Sequence, residues 1–441
     1  MGSRTNKATH RYQAPKGTRD FDPDAMAVRR HIQGAWHRAS IDHGFDEVDG
    51  PTFEHLDLYT VKSGDEIVSE LFSFRRAGGD VDYALRPEFT PTLARMIAAR
   101  GASLPIPVKW FSIPTLFRAE RPQRGRLREH VQWNVDVVGS GGPVFDAEVI
   151  TTAIDGLARL GLTPEQVQVK ISHRQVVASL LSSLGVSDSD VPKAFQLIDH
   201  RDRIPPDVFA TKANEIGLSP DQMTLFDQIV QAAQSIGGGD QNLPDVPGLP
   251  KESLGAFEEI RDELVARDAD AWCHFDLGIV RGLAYYTGLV FEIHETSGAE
   301  RAVAGGGRYD KLVELFGGPS MPACGFGMGD VVLGLVLEDN GLIEPSKLKP
   351  QPDVFLISDG SALAESTLIS LAAELRRQGL HVRYSYKSTR NVGKLLGEAG
   401  KANARKALIL GSELEAGQIT VKDLDAGTQN EIALSDLSSI L

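Results

Sequence analysis

After residue 352 the chain alternates short apolar, β-branched runs with helical ones: Val354–Ile357, Ala362–Arg377, Val382–Tyr386, Asn391–Ala402, Ala407–Leu410. Strands joined through helices pair in parallel, because a parallel connection needs a crossover of about a dozen residues or more. The pattern predicts a small α/β domain with a parallel sheet over 353–441. Nothing earlier in the chain has that period. From 16 to 339 the extended runs Phe45–Val48, Pro51–Phe53, Val108–Ile113, Trp133–Val138 and Tyr286–His294 lie far apart, without regular helices between them. That spacing predicts an α+β domain on an antiparallel sheet. Apolar residues at helical spacing predict a helix over Ala25–His43, stopped at Gly44. Residues 340–352, with prolines and lysines, read as a linker. Within the first domain, about 186–269 turns helical and polar around a glycine- and proline-rich stretch, Gly237–Pro250, as an inserted helical module would. Residues 1–15 are polar, lack an apolar signal region, and read as a disordered tail.

The two cysteines, Cys273 and Cys324, have no CxxC spacing, and no HExxH pair occurs among the eleven histidines. A disulfide framework and a resident metal site are therefore not expected, and a reducing, cytoplasmic setting fits. No apolar run reaches the ~18 residues of a membrane helix. The net charge of −14 argues at first against a nucleic-acid partner. Its distribution argues the other way. Arg376 to Lys406 holds nine Lys/Arg against one acid, with Tyr384 and Tyr386 interleaved, and Arg118 to Arg128 holds five arginines against Glu120. Two basic patches on an acidic body suit a polyanion that is touched only at chosen places.

The densest signal is Phe117-Arg118-Ala119-Glu120-Arg121-Pro122-Gln123-Arg124-Gly125-Arg126-Leu127-Arg128-Glu129, followed by a strand. An arginine-rich turn between strands presents guanidiniums in the fork geometry that phosphates accept. A merely solvated hairpin would have no need of the internal Pro-Gln and Gly. The run resembles motif 2 of class II aminoacyl-tRNA synthetases in the form used by histidyl-tRNA synthetases. Further stretches are similar to that family in the same order: Lys16-Gly17-Thr18-Arg19-Asp20-Phe21, Gly44 to Pro51 (motif 1), Leu85-Arg86-Pro87-Glu88-Phe89-Thr90, then Val280 to Tyr286 with Gly305 to Asp310. The C-terminal alternation resembles the family's anticodon-binding domain.

This resemblance implies a ligase that activates L-histidine with ATP, Mg2+ accompanying the nucleotide, and loads it onto tRNA(His) as a homodimer. It places Arg118 and Arg281 at the ATP α-phosphate as the catalytic cations, and Glu120 near the adenine end. It places Glu88, Thr90, Gln132 and Asp136 around the amino acid, with Glu88 and Asp136 accepting from its ammonium, and Tyr285 and Tyr286 at its side chain. Arg124, Arg126 and Arg128, with Arg390 and Lys394, are the expected tRNA contacts. A site that hydrogen-bonds both imidazole nitrogens rejects isosteres lacking them by roughly 10⁴–10⁵, so no editing domain is required.

Three stretches depart from the family pattern. His130 and Val131 precede Gln132 where an aromatic and a histidine are usual, and Ala284 replaces an acid. Val332 stands where motif 3 carries an arginine that stacks on adenine and reaches the γ-phosphate; Arg308 is the candidate replacement by sequence proximity. The alternative reading is the non-catalytic, synthetase-like regulatory subunit of ATP phosphoribosyltransferase, which shares the core but lacks the anticodon-binding domain.

Overall fold

The computed structural model describes residues 12–63, 70–201, 204–234, 251–281, 285–387 and 389–441, in two compact units divided between Pro345 and Ser346. Residues 1–11 of the expected tail, the stretch 237–250 and Ala284 lie outside the described residues.

The first unit is built on a nine-stranded sheet. In spatial order its strands are Asp46–Glu47, Val108–Ser112, Glu129–Val138, Ala323–Gly329, Ala304–Arg308, Leu289–Glu295, Val167–His173 and Cys273–Phe275, with Thr115–Phe117 on the N-terminal half of Glu129–Val138. The interior pairs are antiparallel, as expected. Both edges are parallel, Asp46–Glu47 on Val108–Ser112 and Cys273–Phe275 on Val167–His173. Each of those pairs is joined through a long excursion that returns the chain in the same direction.

The strand Glu129–Val138 explains the two faces. Side chains alternate across a sheet, so Trp133, Val135 and Val137, all fully buried, point one way and Gln132, Asn134 and Asp136 the other. On the first side lie the helices Pro23–Asp42 and Pro143–Ala158, which share one apolar core with that face of the strand. Trp133 stacks on Trp36 with ring centroids 5.9 Å apart, and its Nε1 donates to Ser40 Oγ at 2.8 Å. A Cβ at Gly156 would come 2.5 Å from Trp133 Cζ3, so only glycine lets that helix lie on the indole. Burying one such ring contributes at most roughly 4–6 kcal/mol. The helix Pro23–Asp42 starts under Asp22, whose carboxylate accepts from the amides of Asp24 and Ala25 at 3.1 and 2.9 Å; it ends before Gly44, which has φ +73°. The other face carries a second apolar core, in which Leu93, Ile97, Val138, Val290 and Ala323 pack together, and beside it stand the polar Gln132, Asn134 and Asp136.

Helices Val191–Asp199, Pro206–Glu215, Pro220–Gln234 and Lys251–Val265 follow the strand Val167–His173. Their polarity is one-sided: Phe195, Phe209, Phe226, Phe257 and Ile260 join the same core as the sheet. The strand expected from Tyr286 begins only at Leu289, because Tyr285 and Tyr286 belong to the irregular segment that enters the site.

The second unit has strand order Val382–Tyr384, Val354–Ser358, Lys406–Leu410, Gln418–Asp423, Gln429–Ala433. The first three strands are parallel, as the alternation predicts, with helices Ala362–Arg377 and Val392–Lys401 capped by Ser361 and Asn391. A wholly parallel sheet is not what forms. Beyond Leu410 the chain makes an antiparallel hairpin, and Asp423 closes its turn by accepting from the amides of Asp425 and Ala426 at 3.0 and 2.8 Å. A turn that short permits only antiparallel pairing.

Candidate active site

Two cavities open on the face of the nine-stranded sheet that carries Gln132 and Asp136. The narrow one, about 110 Å³, is lined by Glu88, Thr90, Gln132, Asn134, Asp136, Tyr285, Tyr286 and Tyr309, with Arg118 and Arg281. Its floor is glycine. Gly305 faces Gly327 across the sheet, and Gly307 faces Gly325, which in turn faces Asp136. A Cβ on Gly325 would collide with the Asp136 carboxylate and come 2.6 Å from the Tyr309 hydroxyl; one on Gly327 would lie 2.9 Å from Gln132 Cδ. Glycine here is a requirement of space, since the polar groups lie directly on the backbone of the sheet.

Asp136 is buried, accepts a hydrogen bond from the Tyr309 hydroxyl, and is pushed up to about 7 by desolvation, which that hydrogen bond only partly offsets. A carboxyl poised near neutrality in a closed pocket is a mark of a binding or catalytic site. Tyr285 and Tyr286 stand with ring centroids 4.6 Å apart, and burial raises the Tyr285 phenol, keeping it a donor.

The wide cavity, about 1030 Å³, is at the upper end of the roughly 300–1,000 Å³ typical of ligand sites. It is lined by arginines 118, 124, 126, 281 and 301, with His130, Glu292, Glu300 and Val332 among their neighbours. Arg118 and Arg281 line both cavities and so stand in the wall between them. Arg118 Nε donates to Pro87 O at 3.2 Å, and burial lowers its pKa. Arg281 Nη1 donates to Glu292 Oε1 at 2.9 Å, and its guanidinium lies 5.6 Å from the Tyr286 ring centroid. Arg281 has φ +48°, a left-handed conformation that costs a non-glycine residue of order 1–2 kcal/mol and persists where its surroundings hold it. Gly305 is part of that hold: a Cβ there would occupy the place of Arg281 Nη1. His130 is pushed down to about 3 by burial and by the Arg118 charge, so it enters the cavity neutral.

Eight of the sequence-predicted residues thus meet: Glu88, Thr90, Asp136, Tyr285 and Tyr286 in the narrow cavity, Gln132, Arg118 and Arg281 at the junction. Glu120 lines neither cavity; it pairs with Arg126. Arg124 and Arg126 line the wide cavity, Arg124 held by Glu300 at 2.6 Å, whereas Arg128 turns away to Glu120 O and Lys16 O. Arg308 is not the replacement that proximity suggested. Its guanidinium is bound by Asp146 at 2.8 Å and Gly142 O at 3.0 Å, and it lines neither cavity. Arg390 approaches Glu365 at 3.5 Å, and Lys394 is exposed on its helix. Asn134, Tyr309 and Arg301 were missed. Asn134 was legible, being the polar position between Gln132 and Asp136 on an alternating strand; Tyr309 and Arg301 reach the site only through the pairing of distant strands.

The histidyl-tRNA synthetase family model matches residues 17–329, and the anticodon binding domain model matches 353–441. The chain is 36% identical over 434 residues to the histidine–tRNA ligase of Opitutus terrae, covering 98% of both chains. It is 35% identical over 424 residues to the chloroplastic/mitochondrial histidine–tRNA ligase of Arabidopsis thaliana, covering 96% of this chain and 85% of that one. The crystal structure of histidyl-tRNA synthetase from Nostoc sp. PCC 7120 has the same fold, with TM-score 0.77 at 23% identity and 98% of each chain covered. A Bacillus halodurans structure described as an ATP phosphoribosyltransferase regulatory subunit/histidyl-tRNA synthetase also shares the fold, with TM-score 0.70 at 22% identity over 90% of this chain. With its family model spanning residues 17–329 and 36% identity to such a ligase over nearly its whole length, this chain belongs to the histidyl-tRNA synthetase family.

Proposed function

We propose that the joined cavities carry out histidine–tRNA ligation: ATP activates L-histidine to histidyl-adenylate, which is then transferred to tRNA(His). The observation that carries this reading is the position of Arg118 and Arg281 in the common wall. An amino acid seated in the narrow cavity and a nucleotide in the wide one would meet there. Attack of the histidine carboxylate on the α-phosphorus builds negative charge on the equatorial oxygens, and pyrophosphate leaves. Two preorganised guanidiniums oppose that charge, each such donor being worth on the order of 10²–10³ in rate.

Glu88 and Asp136 accept from the ammonium, Thr90 and Gln132 complete the polar wall, and Tyr285 and Tyr286 face the imidazole. Glu120, now engaged by Arg126, serves the adenine end when the arginine-rich loop turns to the nucleotide. Mg2+ would accompany the triphosphate. Among the described residues no three His, Cys, Asp or Glu side chains form a ligand set, and Glu292 and Glu300 already face Arg281 and Arg124. These residues fit a metal carried by the nucleotide, which would neutralise charge on the outer phosphates.

Residues 16–339 form the catalytic domain, with its helical insertion at about 186–269, and 340–352 link it to an anticodon-binding domain at 353–441. Arg124, Arg126, Arg128, Arg390 and Lys394 contact tRNA phosphates. The active form is a homodimer in the cytoplasm. Support for the dimer comes from the small sheet Phe53–His55, Ser73–Arg75, Asp82–Leu85, where Phe53 and Phe74 are nearly half exposed and both pack edgewise or stacked on Tyr83. No helix among the described residues is long and apolar enough to cross a membrane.

The direct test is ATP–pyrophosphate exchange by the purified chain with each amino acid in turn. Exchange with histidine alone, followed by charging of tRNA(His), is the expected outcome. Histidine binding without exchange at any ATP concentration would favour the regulatory-subunit reading.

A further inference from the structure

Val332 leaves the wide cavity without the arginine that the family motif places there, yet the wall beside it is not uncharged. Arg301 comes from the connection between the strands Leu289–Glu295 and Ala304–Arg308 and lines the wide cavity together with Val332. The two side chains converge on one point. A Cβ built on Gly125, at the tip of the arginine-rich loop, would lie 3.2 Å from Val332 Cγ2 and 3.7 Å from Arg301 Cδ. Gly125 has φ +73°, so the loop tip both needs a glycine conformation and has room for little else. Loop tip, Val332 and Arg301 therefore form one wall.

Position along the cavity decides which part of a nucleotide that wall would meet. Arg118 and Arg281 line both cavities and mark the end where the α-phosphate must sit, whereas Arg301, Val332 and Gly125 line the wide cavity alone. Of the loop cations beside Gly125, Arg124 meets Glu300 at 2.5 Å and Asp339 at 3.6 Å, and Arg126 meets Glu120. An arginine is suited to the place because its planar guanidinium stacks on a ring as well as pairing with an anion.

We infer that Arg301 is an ATP-binding residue that replaces, from a different strand connection, the motif 3 arginine missing at Val332. It holds the end of the nucleotide distal to the α-phosphate. The two positions exchange roles: an apolar residue stands at 332 and the cation at 301, both beside the tip of the arginine-rich loop.

This inference rests on the ligase reading, and the test separates the two. Pyrophosphate exchange is measured against ATP and against histidine for the parent chain, Arg301→Ala, Arg301→Lys, and Arg301→Ala combined with Val332→Arg. In parallel, ATP is titrated calorimetrically into each protein without histidine. Arg301→Ala should raise KM and Kd for ATP about 2- to 30-fold, with histidine KM unmoved. Arg301→Lys should recover part of that loss. Val332→Arg should restore ATP affinity in the Arg301→Ala background, which a merely structural role for Arg301 would not allow. An active parent whose ATP KM and Kd are indifferent to Arg301→Ala overturns this inference and leaves the ligase reading standing. Equal losses for ATP and histidine, or no recovery with Val332→Arg, overturn it as well. A parent inactive in exchange contradicts the ligase reading, and the calorimetric Kd still decides whether Arg301 holds ATP.

Discussion

The narrow and wide cavities share Arg118, Arg281, Gln132 and two glycines, and differ in how the rest of each is built. The narrow one has strands for its base: Gln132, Asn134 and Asp136 project from one strand, above glycines of two others. Those three side chains are fixed by the register of the sheet, and burial raises the Asp136 carboxyl to about 7. The wide cavity takes its five arginines from loops, and three of them face carboxylates: Arg281 with Glu292, Arg124 with Glu300, Arg126 with Glu120. A site on strands is rigid before its ligand arrives. A site of loop arginines held by acids must exchange partners when an anionic ligand enters, so it is the part that tolerates a relocated cation such as Arg301.

That contrast breaks most severely where the cavities touch. Gly305→Ala places a methyl group where Arg281 Nη1 lies. It should reduce histidine-dependent pyrophosphate exchange by about 10²-fold or more, through loss of one transition-state cation. Because the change adds one carbon on the open face of the sheet, the circular dichroism spectrum should be unaltered. Near-normal exchange by Gly305→Ala would mean that Arg281 does not need its observed place.

Outside both cavities the expectation is different in kind. Arg390→Ala with Lys394→Ala should raise KM for tRNA roughly tenfold and flatten the salt dependence of charging by about one log unit per lost phosphate contact. Tyr386, 86% exposed and 4.9 Å from Tyr384 between ring centroids, offers a base a stacking surface on the same unit. Exchange without tRNA should not change in the double variant. A matching loss of exchange would show that activation is not confined to the two cavities.

The smallest effect sharpens the account of the narrow cavity. Asp136 has its pKa raised to about 7, so it carries charge above that value and loses it as the pH falls. Histidine KM should therefore rise about 5- to 10-fold between pH 8 and pH 6. The substrate's own imidazole titrates in the same range, so the same profile is taken for Asp136→Asn, which should bind weakly at both ends and show only the substrate's share. Parallel profiles for the two proteins would contradict the role given to Asp136.

Much of this was legible in the sequence for a physical reason: strand alternation and helix caps act locally. The alternation 132–136, the helix ended by Gly44 and the parallel core of the second unit are all written in short stretches. What could not be read depends on which distant strands pair. Tyr309 reaches Asp136 because Ala304–Arg308 and Glu129–Val138 both flank Ala323–Gly329, an adjacency that no local pattern encodes. Arg308 looked available by proximity, but its pairing with Asp146 is settled by the fold of residues far from it in sequence. The C-terminal hairpin was missed although the alternation was present, with Ile419 and Val421 buried in a strand that follows an α/β pattern of another kind.

The account stands or falls on the shared wall. Single-turnover formation of histidyl-adenylate, measured at saturating ATP and histidine for the parent, Arg118→Ala and Arg281→Ala, reads the chemical step without tRNA. Each variant should form the adenylate at least about 10²-fold more slowly while still binding histidine, since each loses a cation at the α-phosphate and keeps Glu88 and Asp136. Adenylate formation at the parent's rate in both variants would show that the chemistry is not performed where the two cavities meet.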